Sequence, residues 1–200
     1  MKKLPVLLIL ISLISCEDSK YCTDIITGIP DQNLINESDL NTVKSLFGTI
    51  GVSLGNFLVY RFQTDQLGGK HVKCYQYVNN LQVFSDDVIF HFDAQNKYYF
   101  LSGEIISGIN ISSDPKMSRN DVVKLFLGLA DDDGQYTSNS MKDECFQCEI
   151  GYYDLNAGTG NETHNFKLAW KIRREDSEYP FAYINDTDKS KIYYDNGIRY

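Results

Sequence analysis

The sequence predicts an α+β fold made of two successive modules, each a helix packed on an antiparallel sheet. Three observations predict it. A segment with apolar residues at helical spacing is followed by several short alternating segments, and this order occurs twice. Asp114-Pro115 separates the two runs. Aromatic residues are abundant, with 14 Tyr and 11 Phe against 4 Pro. That composition suits sheets and argues against disorder.

The chain starts MKKLPVLLILISLISC. Lys2 and Lys3 precede an apolar run from Leu4 to Ile14, too short for a membrane span, which takes about 20 apolar residues. Residues 1–15 therefore read as a signal peptide. Leu13-Ile14-Ser15-Cys16 resembles the bacterial lipobox. That resemblance implies a lipid on Cys16, a membrane partner and a place in the cell envelope. Residues 16–35 are polar and irregular, as a flexible tether would be. Glu17 and Asp18 resemble the acidic signal that sends some lipoproteins to the surface of the outer membrane.

The spacing of Leu40, Val43, Phe47 and Ile50 predicts a helix over 37–50, capped by Asn36 or Ser38 and ended by glycines. Strands are expected at 57–62, 72–78, 81–84, 88–92 and 98–103, with Asn79-Asn80 as a hairpin turn. These elements make a first module, 36–112. Ser118 and Asp121 form a capping box before a second helix whose apolar face is Val122, Leu125, Phe126 and Leu129. Strands follow from Cys148 to Tyr153, at 166–172, at 181–184 and at 191–194, giving a second module, 113–200.

There are 19 Lys and Arg against 27 Asp and Glu. Without Lys2 and Lys3 the formal charge falls from −8 to −10. Such a chain has little to offer a nucleic-acid backbone, so no nucleic-acid partner is expected. Besides Cys16, the cysteines Cys22, Cys74, Cys145 and Cys148 are candidate disulfide partners in an exported chain. Three connectivities are open. Cys145 and Cys148 lie at the start of an alternating segment, where residues three apart point to opposite faces. They bridge each other only if a turn replaces that start.

No catalytic constellation stands out, and no cofactor or metal is expected. His71 and His91 sit in strand patterns, and His164 completes the set of three histidines. Asp131-Asp132-Asp133-Gly134 lacks the later ligands of a calcium loop, with Lys142 at the twelfth place. Asn36, Asn110, Asn161 and Asn185 begin glycosylation sequons, which are incidental in a bacterium. Tyr75, Tyr77, Tyr98, Tyr99, Tyr152 and Tyr153, with Phe100 near them, are the candidate partner-binding face.

His71-Val72-Lys73-Cys74-Tyr75-Gln76 through Val83-Phe84 resembles the H-V-x-x-x-Q-x-x-x-G-x-P-V-F strand pair of the fungalysin/thermolysin propeptide domain. Asp86 to Asp93 and the return to Ser102-Gly103 fit its next hairpin. Residues 117–130 resemble the helix that opens a PepSY domain. Leu168-Ala169-Trp170-Lys171-Ile172 and Phe181 to Asn185 resemble its closing strands. The likeness covers about 57–109 and, more loosely, 117–195. Asn80 and Gln82 replace the usual Gly and Pro, and Thr187-Asp188-Lys189 replaces a Thr-Gly turn.

The resemblance implies cystatin-like sheets. In metallopeptidase precursors these domains assist the folding of a zinc catalytic domain and hold it inactive. The sequence has no H-E-x-x-H. The expectation is a stand-alone, non-enzymatic lipoprotein. It would bind a protein partner, inhibiting or chaperoning a secreted metallopeptidase in trans, with another envelope protein as the less specific partner. The alternative is a general peptide- or glycan-binding surface lipoprotein.

Overall fold

Asn36 opens the first helix, α1 (Glu37–Ile50), by accepting a hydrogen bond from the backbone N–H of Asp39 at 2.9 Å. Gly51, left-handed at φ 68°, closes it. The structure, a computed structural model, describes residues 25–30, 33–141, 143–161 and 163–199, with Asp86 by its backbone alone. The signal peptide, the lipidation at Cys16, and Cys22 lie outside the described residues.

A meander follows α1: β1 (Phe57–Thr64), β2 (Lys70–Val78), β3 (Leu81–Phe92) and β4 (Tyr98–Ser102). Asn79 and Asn80 both take positive φ, 50° and 63°, as the hairpin between β2 and β3 requires. The second helix, α2 (Arg119–Asp133), starts with the expected box: Ser118 and Asp121 bond each other's backbone N–H. A single turn, α3 (Ser138–Met141), interrupts the loop after it. The antiparallel run β5 (Phe146–Asp154), β6 (Phe166–Arg174), β7 (Phe181–Asn185) and β8 (Lys191–Asp195) completes the chain.

The fold is α+β, with few helices and one large, mostly antiparallel sheet. Its order is β1-β2-β3-β5-β6-β7-β8, and β4 pairs β3. The segments at 81–84 and 88–92 are one strand rather than two. The register runs from Tyr77 opposite Gln82 to Tyr75 opposite Asp87, so two residues of β2 span five of β3. A bulge absorbs the polar Ser85-Asp86-Asp87 stretch without ending the strand. The start of β3 pairs in parallel with β5, Gln82 to Gly151 and Val83 to Tyr152. Gly151 is required there: a Cβ on it would overlap the Gln82 carbonyl oxygen and lie 2.6 Å from the Phe84 ring.

Two apolar clusters sit on this sheet. Val43, Leu46 and Phe47 of α1 pack on Val59, Cys74 and Phe90. Val122 and Phe126 of α2 pack on Cys148, Trp170, Ile172 and Ile184. Asp186, buried, ties the second cluster to the start of α2. Its carboxylate accepts from the backbone N–H of Lys116 at 2.8 Å and of Met117 at 3.0 Å, and from Trp170 Nε1 at 2.8 Å.

Two of the four candidate disulfide cysteines are corrected. Cys74 and Cys148 are free thiols, fully buried in different clusters. Strand alternation turns both toward the helices, and burial pushes both thiols up, Cys74 to about 12 and Cys148 to about 11. Cys145 is disulfide-bonded.

Candidate protein-binding face

The strands have period two, so each residue that packs under a helix has neighbours on the opposite face. Val72, Cys74, Cys148, Ile150, Trp170, Ile172, Ala182 and Ile184 are core residues. Their neighbours Tyr75, Gln147, Glu149, Lys171, Arg173, Phe181 and Tyr183 therefore point the other way. That back face is aromatic. Tyr60 stacks on Tyr75 with ring centres 4.3 Å apart, and its hydroxyl donates to Asp87 at 2.6 Å. Tyr183 of β7 contacts Phe84 of β3 at 5.3 Å, Tyr153 of β5 at 5.0 Å and Phe181 at 5.8 Å. Phe181 continues the row to Tyr193 at 5.7 Å.

Between these groups of rings lies a cavity of about 280 Å³, lined among others by Tyr75, Tyr77, Phe84, Glu149, Lys171 and Arg173. Lys171 Nζ is 3.7 Å from Glu149 and 6.0 Å from the centre of the Phe84 ring. Burial raises the Tyr75, Tyr77 and Tyr183 hydroxyls above their usual range, Tyr77 to about 12, so they remain protonated at any physiological pH. The arrangement offers π-faces, phenol donors and a cation in one shallow site.

The described part of the expected tether is docked along this cavity. Ile26 pairs in parallel with Glu149, its N–H donating to the Cys148 carbonyl at 2.8 Å and its carbonyl accepting from Ile150 at 3.2 Å. β3 covers β5 only at Gly151 and Tyr152, which leaves these edge groups for Ile26 to satisfy. Farther on, Leu34 donates to the Val59 carbonyl at 3.0 Å, and Asn33 Oδ1 accepts from Val59 at 3.0 Å. Residues 25–30 and 33–35 thus link the β5 edge to β1.

The six expected tyrosines do not form one face. Tyr75, Tyr77 and Tyr153 belong to the back face. Tyr98 and Tyr99 are exposed on β4, beside the exposed Phe100. Tyr152 is a correction: it is fully buried in the second cluster, on the same side of β5 as Cys148 and Ile150. Sequence reasoning missed Phe84, Phe181 and Tyr183. The alternation of Phe181 and Tyr183 with the buried Ala182 and Ile184 was the available signal.

The acidic run after α2 has structural partners. Asp131 caps the loop by accepting from the backbone of Ser138 at 2.7 Å, and Asp133 accepts from Asn196 at 3.1 Å. Among the described residues, no group of three or more His, Cys, Asp or Glu side chains is placed to hold a metal ion.

The strands carrying Tyr75, Tyr77 and Phe84 lie within a segment that matches a known family. Residues 55–105 match the Fungalysin/Thermolysin Propeptide Motif. The matched segment spans β1 to β4 and the turn at Gly103. It is similar to a propeptide element of peptidases, not to a catalytic domain. No curated protein matches the chain.

Proposed function

We propose that this protein is a non-enzymatic envelope lipoprotein, anchored to the outer membrane through lipid on Cys16 and facing the cell surface. It binds a secreted metallopeptidase in trans and inhibits or chaperones it. The observation that carries this reading is the propeptide motif at residues 55–105. The aromatic back face supports it, because tyrosine and phenylalanine supply large contact area at low entropic cost.

Residues 36–112 and 113–200 are read as successive propeptide-like and PepSY-like modules. In support, α2 and β5–β8 supply most of one apolar cluster, which Val78, Leu81 and Val83 also enter. Cys22 is read as the partner of Cys145. Ile26 lies opposite Glu149 in a parallel bridge, and each of these cysteines stands four residues earlier in its segment.

The test is a panel of exported zinc peptidases from the same cell. The purified protein is expected to bind at least one of them and either slow its peptide hydrolysis or raise its refolding yield. Failure of all three readouts across the panel overturns the peptidase reading. The cavity beside Tyr75 and Tyr77 favours one alternative, a general peptide- or glycan-binding lipoprotein. Recovery of glycan or of peptides unrelated to peptidases from the cell envelope would select it.

A further inference from the structure

His71 on β2 and His91 on β3 are directly opposed in the sheet. Their Nδ1 atoms are 2.8 Å apart, with the rings inclined at 69°. The remote nitrogen of each ring has a partner. His71 Nε2 is 3.1 Å from Asp65 Oδ2, and His91 Nε2 is 2.9 Å from Ser102 Oγ. The other Asp65 oxygen is held by the backbone N–H groups of Leu67 and Gly69, each at 2.8 Å. Phe100 and Tyr99 flank the His91 ring at 5.5 and 6.1 Å. Both imidazoles are thus oriented from behind, with their Nδ1 atoms facing each other.

A carboxylate only accepts, so His71 carries its proton on Nε2 and offers a lone pair at Nδ1. The Ser102 hydroxyl can rotate. When it donates to His91 Nε2, His91 Nδ1–H donates to His71 Nδ1, and the neutral chain is satisfied. When it accepts from His91 Nε2–H, the His91 proton has moved to the far nitrogen and both Nδ1 atoms present lone pairs to the space between the rings. The second arrangement suits a cation.

We propose that His71 and His91 bind a divalent first-row transition-metal ion of the zinc class through their Nδ1 atoms. Imidazole nitrogens suit such ions. Two of them on one tetrahedral ion, each roughly 2.0–2.1 Å from it, stand about 3.3 Å apart, so from 2.8 Å the rings need to open by about half an ångström. Asp65 and Ser102 supply the outer hydrogen bonds that metal-bound histidines use. Neither ring has to lose a proton overall. The nearby Lys73 opposes the cation and Asp65 favours it. With two ligands from the chain, the remaining positions go to water or to a side chain of a bound partner. His71 is about a quarter exposed, so the site is open to solvent.

The test is titration of the full chain with Zn²⁺ in metal-free buffer, followed by calorimetry and by the imidazole ¹⁵N resonances. One equivalent is expected, with both the His71 and His91 Nδ1 signals moving. His91→Ala should lower affinity at least tenfold, and Asp65→Asn, which keeps an oxygen for Leu67 and Gly69, by about tenfold. Binding that moves only the His164 resonances, or that survives both His71→Ala and His91→Ala unchanged, overturns the proposal. If either alanine variant fails to fold, the ¹⁵N shifts of the unmodified protein and the Asp65→Asn affinity decide it.

Discussion

Replacing Gly151 by alanine tests whether the two halves of the sheet are one cooperative structure. Gly151 is where β5 meets β3. The added methyl would overlap the Gln82 carbonyl oxygen, which is fixed by the strand pairing, and stand 2.6 and 2.7 Å from two carbons of Phe84. Phe84 can turn aside toward the cavity; the carbonyl cannot. Overpacking a filled site costs about 1–3 kcal/mol, and a clash with backbone belongs at the top of that range. For a chain of this size each kcal/mol lowers Tm by about 2–4 °C, so the expected drop is about 6–12 °C. Urea unfolding provides two probes. Fluorescence follows Trp170, the one tryptophan, buried in the second cluster, while far-UV circular dichroism follows the whole sheet. Because β3 serves both halves, both probes are expected to shift together. A loss below about 0.5 kcal/mol would remove the steric argument. A shift in fluorescence alone would show that β3 does not couple the halves.

Asp186→Ala leaves the Trp170 indole and the Met117 amide buried without an acceptor and should cost about 3 kcal/mol or more in urea melts, whereas Asp186→Asn, which keeps one oxygen for both, should cost about 1 kcal/mol; equal losses would refute the assignment. Iodoacetamide should leave Cys74 and Cys148 unmodified in the native protein and label both in denaturant, since burial raises both thiols. Non-reducing peptide mapping should find Cys22 with Cys145, and any peptide joining Cys74 to Cys148 would contradict the buried, separate positions. The hydrogen bond that His164 donates to Asp154 raises the His164 pKa. Burial pushes Asp154 up, but hydrogen bonds from Asn165, His164 and Asn156 outweigh it and leave its pKa lowered. The pair should therefore stabilise fully between about pH 4 and 6.5, lose its effect as pH rises through the His164 value, and lose it as pH falls through the Asp154 value. His164→Gln should flatten the alkaline side of the urea-midpoint profile; an unchanged profile would refute this.

Local chemistry made much of the fold legible. Asn36, the Ser118 and Asp121 box, and the Asn79-Asn80 turn are signals contained within a few residues, and each element starts or turns where they stand. Alternation likewise placed β6, whose Leu168, Trp170 and Ile172 are buried. The joining of the sheet was not legible, because it rests on two parallel pairs between residues about 70 apart in sequence. Its one local trace is Gly151, a glycine inside a strand. The cysteines misled for a different reason. An even count in an exported chain suggests pairing, yet Cys74 and Cys148 share their faces with Val72 and Ile150, which marks both as core. Tyr152 could have been assigned to the core by the same alternation.

The bulge between β2 and β3 explains why the histidine pair was hidden as well. From the Asn79-Asn80 turn, the hairpin pairs Val78 with Leu81 and Tyr77 with Gln82. Continued without interruption, that register would set His71 opposite Val88. The three extra residues of β3 shift the register, so that Val88 meets Cys74 and His91 meets His71. The shift is odd and therefore turns β3 over. It lets Leu81 and Val83 join the cluster under α2 while Val88, Phe90 and Phe92 join the cluster under α1. One irregularity thus lets a single strand complete both cores, and it places two imidazoles on the opposite face with their Nδ1 atoms in contact. Shortening the bulge by an odd number of residues would have to break both features at once. That ties the candidate metal site to the architecture of the sheet rather than to surface chance.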